Sequence, residues 1–351
     1  MVKMKKIIVS IGLLSVLASC SNEESKIEEN NGEDIQKVVE QYPNLLITAQ
    51  GLFSVLPKTA SNPENESTSE KIALGKKLYF DNRLSKDNTQ SCNTCHNLET
   101  YGVDNKPFSE GNDGGLGGRN SPTTLNSALH VSQFWDGREP NVEAQAGGPI
   151  LNPVEMAMHS EKEVMKKLID LEEYKVLFKS AFPDSKELFT YDNLKNAIGV
   201  FERELLTPSK FDDYLAGNLT ALTVEEKEGL NTFIGIGCTA CHSGALLGGT
   251  MYQKFGAFGD YWELTKSKKV DNGIFDLTQK EADKYVFKVP SLRNIEKTYP
   301  YFHDGSVSDL GESVKIMAKL QLNKELSDKE ITSIVTFLNT LTGELAEELK
   351  K

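Results

Sequence analysis

Apolar positions fall at helical spacing in several stretches of the 351-residue chain, and start or stop signals flank them. Leu194, Ala197, Ile198, Phe201 and Leu205 form one stripe, and Ile331, Ile334, Val335, Leu338 and Leu341 form another. Steps of three and four place each set on one helix face. Leu230, Phe233 and Ile234 make a shorter stripe that leads into Cys238. Ser160-x-x-Glu163, Thr223-x-x-Glu226 and Ser327-x-x-Glu330 each fit a capping box at a helix start, and Gly343 supplies a stop. Ser308 to Leu320 also reads as a helix, with Leu310, Val314 and Met317 on its apolar face. No run sustains a period-two alternation, so the predicted fold is mainly α, with long irregular Gly-rich connections.

The N-terminus has a different pattern. Lys3, Lys5 and Lys6 precede an apolar run from Ile7 to Ala18, too short to span a bilayer as a mature helix. It reads as an export signal. Its ending, Leu17-Ala18-Ser19-Cys20, resembles a bacterial lipobox, which implies cleavage before Cys20 and lipid attachment there. A plain secretory signal with an incidental cysteine is the alternative. Ser21 to Glu40 carries seven acidic and two basic residues with almost no aliphatic periodicity, the composition of a solvated tether. Ser61 to Ser69 forms a further polar loop. The expected organisation is a signal over 1–20, an acidic tether and linker over 21–66, helical domains over 67–215 and 216–345, and a charged tail over 346–351.

Chemistry enters with Cys92-Asn93-Thr94-Cys95-His96 and Cys238-Thr239-Ala240-Cys241-His242. In Cys-x-x-Cys-His, two thiols add across the vinyl groups of a haem and the adjacent histidine ligates the iron. A bare Cys-x-x-Cys also serves zinc or a redox dithiol. A histidine directly after the second cysteine in both copies favours two c-type haems, one in each cytochrome c-like domain. Four of the five cysteines are thereby used and Cys20 is the fifth, which leaves no pair for a structural disulfide. Covalent haem attachment in bacteria takes place outside the cytoplasm, in agreement with the signal. The expected location is the periplasm or cell envelope, with membrane contact only through the anchor at Cys20.

Charge narrows the partners. Loss of the three signal lysines takes the formal charge from -12 to -15. An acidic body disfavours nucleic acid and favours a basic soluble electron donor. The sixth iron ligand decides what each haem does, because an iron with two protein ligands shuttles electrons and an open iron binds peroxide. Met317 is a candidate thioether ligand for the second haem, although a methionine on such a face is often core filler.

From Leu74 to Gly343 the chain resembles the bacterial di-haem cytochrome c peroxidases. The resemblance rests on Leu74-Gly75-Lys76-Lys77-Leu78-Tyr79-Phe80-Asp81, the first haem motif, Arg119-Asn120-Ser121-Pro122-Thr123, Gln133-Phe134-Trp135-Asp136-Gly137-Arg138, Pro290-Ser291-Leu292-Arg293-Asn294 and Pro300-Tyr301-Phe302-His303-Asp304-Gly305. It implies reduction of hydrogen peroxide at the N-terminal haem, held by Cys92, Cys95 and His96. Electrons from a soluble cytochrome c or small copper protein would arrive at the C-terminal haem, held by Cys238, Cys241, His242 and Met317. It further implies that Trp135 lies between the haems and that Gln145 and Glu155 stand over the peroxide. A calcium ion would bind at Asn120, Thr298 and Pro300, and the protein would form a homodimer.

One position departs from that pattern. Many family members carry a histidine sixteen residues after the first haem histidine, which closes the resting iron. Here the position is Asn112, so an open or water-bound first iron is expected. His130 and His159 are the substitutes a loop rearrangement could offer. His303 receives no ligand role. Two other readings share the motifs: a di-haem electron carrier, which needs six ligands on both irons, and a maturase of the same superfamily that oxidises protein tryptophans, which has tyrosine where this chain has Met317.

Overall fold

The computed structural model describes residues 42–350. The export signal, Cys20 and most of the acidic tether lie outside the described residues. Ten helices organise the rest: α1 (Leu45–Leu52), α2 (Ser69–Tyr79), α3 (Val142–Leu151), α4 (Glu161–Ile169), α5 (Glu172–Ala181), α6 (Tyr191–Arg203), α7 (Lys210–Leu215), α8 (Val224–Ile236), α9 (Leu310–Leu322) and α10 (Asp328–Asn339). Shorter turns and one small antiparallel pair, β1 (Tyr252–Lys254) and β2 (Val286–Lys288), complete it. The mainly helical fold expected from the sequence is the fold observed.

Local signals explain the helix starts. Thr223 and Ser327 each close a reciprocal capping box with Glu226 and Glu330. Ser160 makes only the forward half, accepting from the Glu163 N–H. The stripe Leu194, Ala197, Ile198, Phe201 and Leu205 is wholly buried. Helix α10 stops at Asn339 with Thr340 as its cap, earlier than Gly343. Gly343 does other work. A Cβ there would sit 2.5 Å from the Thr207 carbonyl oxygen and 2.3 Å from that of Pro208, so it permits close backbone contact rather than ending a helix.

Two helix pairs carry the architecture, and each crosses at a glycine. Helix α2 lies on α6, where a Cβ on Gly75 would come within 1.9 Å of the Ala197 carbonyl oxygen. Helix α8 lies on α10, where a Cβ on Gly229 would come within 2.2 Å of the Ser333 carbonyl oxygen. The pairs fall on either side of residue 215, within the compact unit Asn44–Lys351. The first pair anchors a large aliphatic and aromatic core.

Both ends of that unit depart from the expected linker and tail. Residues 45–60 belong to the body: Leu45, Ala49, Phe53, Leu56 and Ala60 are buried, and Phe53 meets Phe211 edge-on at 5.4 Å between ring centroids. Leu45 and Ala49 lie on α1, while Phe53, Leu56 and Ala60 follow it in irregular chain, so the buried set is not one helix face and the acidic composition just before it hid it. Glu347–Lys350 is helical, Leu345 is buried in the first core, and Leu349 packs against that core.

Adding one methyl at either crossing forces the backbones apart. Gly75→Ala and Gly229→Ala should each lower stability by about 1–3 kcal/mol, read as a lower midpoint in chemical denaturation with an unchanged slope.

Candidate haem centres

At the second motif, α8 ends on Gly237 in the left-handed conformation, and the turn Cys238–Ala240 follows directly. Cys238, Cys241 and His242 line a cavity of about 240 Å³, and so does Met317 from α9. Helix α9 thus presents the face predicted from Leu310, Val314 and Met317 to the same space. The His242 ring is fixed by a 2.9 Å hydrogen bond from Nδ1 to the Leu247 carbonyl. That assigns the proton to Nδ1 and leaves Nε2 as the ligating nitrogen, the usual outer-sphere arrangement for a metal-binding histidine. Burial pushes the His242 pKa down, which keeps the ring in the neutral form a metal requires. The residues present fit a covalently bound His/Met haem.

The loop that accepts the His242 hydrogen bond is itself clamped. Ser291 donates to the Leu246 carbonyl at 2.7 Å, and Arg293 Nε donates to the Ala245 carbonyl at 2.6 Å. The same guanidinium makes a two-pronged bond to Asp212 on α7, at 2.7 and 2.8 Å. Burial acts to raise the Asp212 pKa, but the guanidinium outweighs it and holds the carboxyl below its ordinary range.

At the first motif, Cys92–Cys95 forms one helical turn with a capping box between Ser91 and Thr94. Tyr79 from α2 donates its hydroxyl to the His96 carbonyl at 2.7 Å. His96 Nδ1 is buried near the Pro122 backbone but closes no hydrogen bond, and burial lowers the ring's pKa. Cys92 packs against the core that holds Ala146 and Ile150 of α3 and Met156. A buried neutral imidazole beside two thiols fits a haem here too.

The peroxide-facing candidates come from α3 and the turn after it. Gln145 stands on the helix itself, and Glu155 on the turn that follows it. Asn141 caps α3, and Pro149 falls in its last turn, where the missing N–H would otherwise have bonded the Gln145 carbonyl. Asn152 then bonds the Glu155 carboxylate through its amide at 2.8 Å. Burial pushes the Glu155 pKa above its ordinary value, against the Asn152 amide that pulls it down. Burial also raises the Cys95 thiol, and Glu155 adds to that shift, which brings the carboxylate into electrostatic range of the first motif.

Asn112 is committed elsewhere. Its side-chain oxygen accepts from the Asp87 N–H and the Thr89 hydroxyl, and its amide donates to Asp87 and Asp113. Its backbone N–H donates to the Glu155 carbonyl at 2.6 Å. The loop around it folds as a tight hairpin, with Glu110 bridged to Leu116 and Lys86 paired to Asp113. His130 is half-buried beside Lys288 at the cavity of the second motif, away from this loop. His159 is exposed and within electrostatic range of Asp113.

Trp135, Asn120, Thr298, Pro300 and His303 all line the second cavity. Trp135 Nε1 donates to the Asn120 carbonyl at 2.9 Å, and Asn120 N–H donates to the His303 carbonyl at 2.7 Å. His303 is buried and stacked on Phe287 at 4.4 Å, with its Nε2 buried and unpartnered. Sequence reading missed Lys288, whose partner His130 lies 158 positions away. Among the described residues, no group of three or more His, Cys, Asp or Glu is arranged to hold a metal ion.

Comparison with known proteins agrees with this geometry. Residues 69–220 match the family model for di-haem cytochrome c peroxidase. The cytochrome c551 peroxidase of Nitrosomonas europaea is 46% identical over 83% of this chain and 84% of its own. That of Pseudomonas aeruginosa is 42% identical over 84% and 85%. A crystal structure of a MauG-like protein associated with microbial copper homeostasis superposes with a TM-score of 0.75 at 27% identity, covering 85% of this chain and 97% of that one. The chain belongs to the di-haem cytochrome c peroxidase family, and so is an oxidoreductase of the peroxidase type with two c-type haems.

Asp212→Ala would leave Arg293 buried and unpaired, so it should cost about 3–5 kcal/mol. In the loaded protein, the absorption of the second haem should broaden as the His242 loop loosens, with the first haem unaffected.

Proposed function

We propose that this protein reduces hydrogen peroxide to water at the His96 side, with electrons delivered singly by a soluble cytochrome c or small copper protein at the His242 and Met317 side. The observation that carries the reading is Glu155: a half-buried carboxylate held by the Asn152 amide, in electrostatic range of the first haem motif. When bound, the haem irons supply the coordination position for peroxide and the one-electron steps.

The chain's own residues do the rest. The Glu155 carboxylate takes the proton from the inner oxygen of peroxide and returns it to the outer one, so that the O–O bond breaks with water as the leaving group. Two electrons and two further protons complete the conversion of one peroxide to two waters. Gln145 orients the peroxide through its amide. Trp135 offers an aromatic path between the two halves, next to Asn120, Thr298 and Pro300, where a calcium ion would bind mainly main-chain carbonyls. We assign the protein to the periplasm or cell envelope, anchored through lipid at Cys20 and working as a homodimer.

Asn112 bears on the resting state. An asparagine amide is a poor ligand for ferric iron, and its four side-chain hydrogen bonds already hold it in the hairpin. This supports a first iron that is open before any electron arrives. Fully oxidised enzyme should therefore oxidise a reduced cytochrome c promptly on addition of peroxide, with no gain from one-electron pre-reduction. A resting spectrum dominated by low-spin bis-histidine signals, with turnover only after pre-reduction, would sink the open-site reading.

The role of Glu155 makes a separate claim. Only the ionised carboxylate accepts a proton, so with its pKa raised, turnover should fall on acidification at a pH above the ordinary glutamate value. Glu155→Gln should reduce turnover about 10²–10⁴-fold and abolish that acid limb, while both haems stay bound.

A further inference from the structure

Lys288 is a buried cation without a carboxylate. Its side chain is 7% exposed, and no acidic group lies within ion-pair distance of it among the described residues. The ammonium donates to the Ser132 carbonyl at 2.7 Å and to His130 Nδ1 at 3.0 Å. Burial lowers its pKa to about 8, with Asp136 giving only a longer-range pull the other way. A charge in that position is costly unless something anionic meets it.

His130 completes the argument. Because Nδ1 accepts from Lys288, the ring proton belongs on Nε2. That nitrogen is buried with no partner. Burial, reinforced by the Lys288 charge, keeps the ring neutral. The ammonium sits on the Nδ1 side of the ring and the unpartnered N–H points out of the other side, and both residues line the cavity that holds Cys238, Cys241, His242 and Met317. The surroundings are rigid: Lys288 N–H donates to the Trp135 carbonyl at 2.8 Å, and β1 sets Tyr252 opposite Lys288. Gly249, with φ +74°, leaves room for the ring, since a Cβ there would reach His130 Cδ2 at 2.9 Å.

The missing partner must be an anion that accepts hydrogen bonds, and it must belong in this cavity. A haem attached at Cys238 and Cys241 brings two carboxylates with it. We propose that His130 Nε2 donates to one propionate carboxylate of the second haem and that Lys288 meets the other through its remaining N–H. The proposal rests on the reading of that motif as a haem site. A cation at that carboxylate favours the reduced iron, so the pair also acts as a positioning device for the second haem's potential.

The test uses the haem-loaded protein. Haem content is counted first, and the second haem of wild type, Lys288→Met, Lys288→Arg and His130→Asn is then titrated by absorption. Lys288→Met should keep both haems and the methionine-to-iron charge-transfer band, yet shift the reduction equilibrium toward oxidised iron about tenfold, which is 59 mV for one electron. Lys288→Arg should stay near wild type, and His130→Asn should fall between. Equal potentials in wild type and Lys288→Met, with both haems attached, overturn the proposal. Should Lys288→Met fail to accumulate, haem labelled with ¹³C in its propionates gives the second reading by infrared difference spectroscopy. A carboxylate band that moves in His130→Asn supports the contact, and an unmoved band overturns it. Wild type lacking haem at the second motif would overturn the haem reading itself, a failure the haem count separates from the others.

Discussion

The buried pair between Arg293 and Asp212 is the constraint on which the second site depends. The guanidinium bonds α7 on one side and the Ala245 carbonyl on the other. Two residues further on, the Leu247 carbonyl accepts the hydrogen bond from His242 Nδ1–H. Ligand orientation is thus decided by a charge pair with no contact to the ligand. Asp212 also accepts the Leu56 N–H at 2.7 Å, which ties the segment after α1 into the same node. Such a node stabilises less than its two charges imply, because both have left water. What it fixes is geometry: the loop that carries the Leu247 carbonyl cannot shift without disturbing the Arg293 bond to Asp212.

The two halves solve one problem in the same way. Each places a haem motif next to a helix pair that crosses at a glycine, Gly75 over Ala197 and Gly229 over Ser333. Close backbone approach at those crossings lets the helices pack tightly beside each motif. The halves then diverge in chemistry. The second offers a thioether on α9 and an aromatic wall of Trp135, Phe255 and Phe287. The first offers a half-buried carboxylate on a turn and a hairpin whose asparagine is fully occupied.

Much of this was legible in the sequence because it is local. Capping boxes at Thr223 and Ser327 act over three residues, and the α9 face follows from a spacing of three and four. The haem motifs act over five residues. What escaped sequence reading was long-range. Gly343 looks like a helix stop but serves contacts with Thr207 and Pro208. The buried set of Leu45, Ala49, Phe53 and Leu56 is short and follows an acidic segment, so composition masked it. Helix α3, which carries Gln145, was not anticipated, being short and holding Pro149 in its last turn. The Lys288–His130 pair has no local signature at all, because neither residue is unusual until the fold brings them together.

The return of the C-terminus to the first half has a consequence for the order of assembly. Domains made on the ribosome generally fold as units from the N-terminus. Here the first core takes Leu345 as a buried member and Leu349 against its edge, and Tyr101 donates its hydroxyl to Glu344 at 2.8 Å. That core is therefore incomplete until almost the whole chain has been synthesised. The first haem motif waits in an unfinished shell while the second is still being delivered, so both sites mature in one late step rather than one after the other.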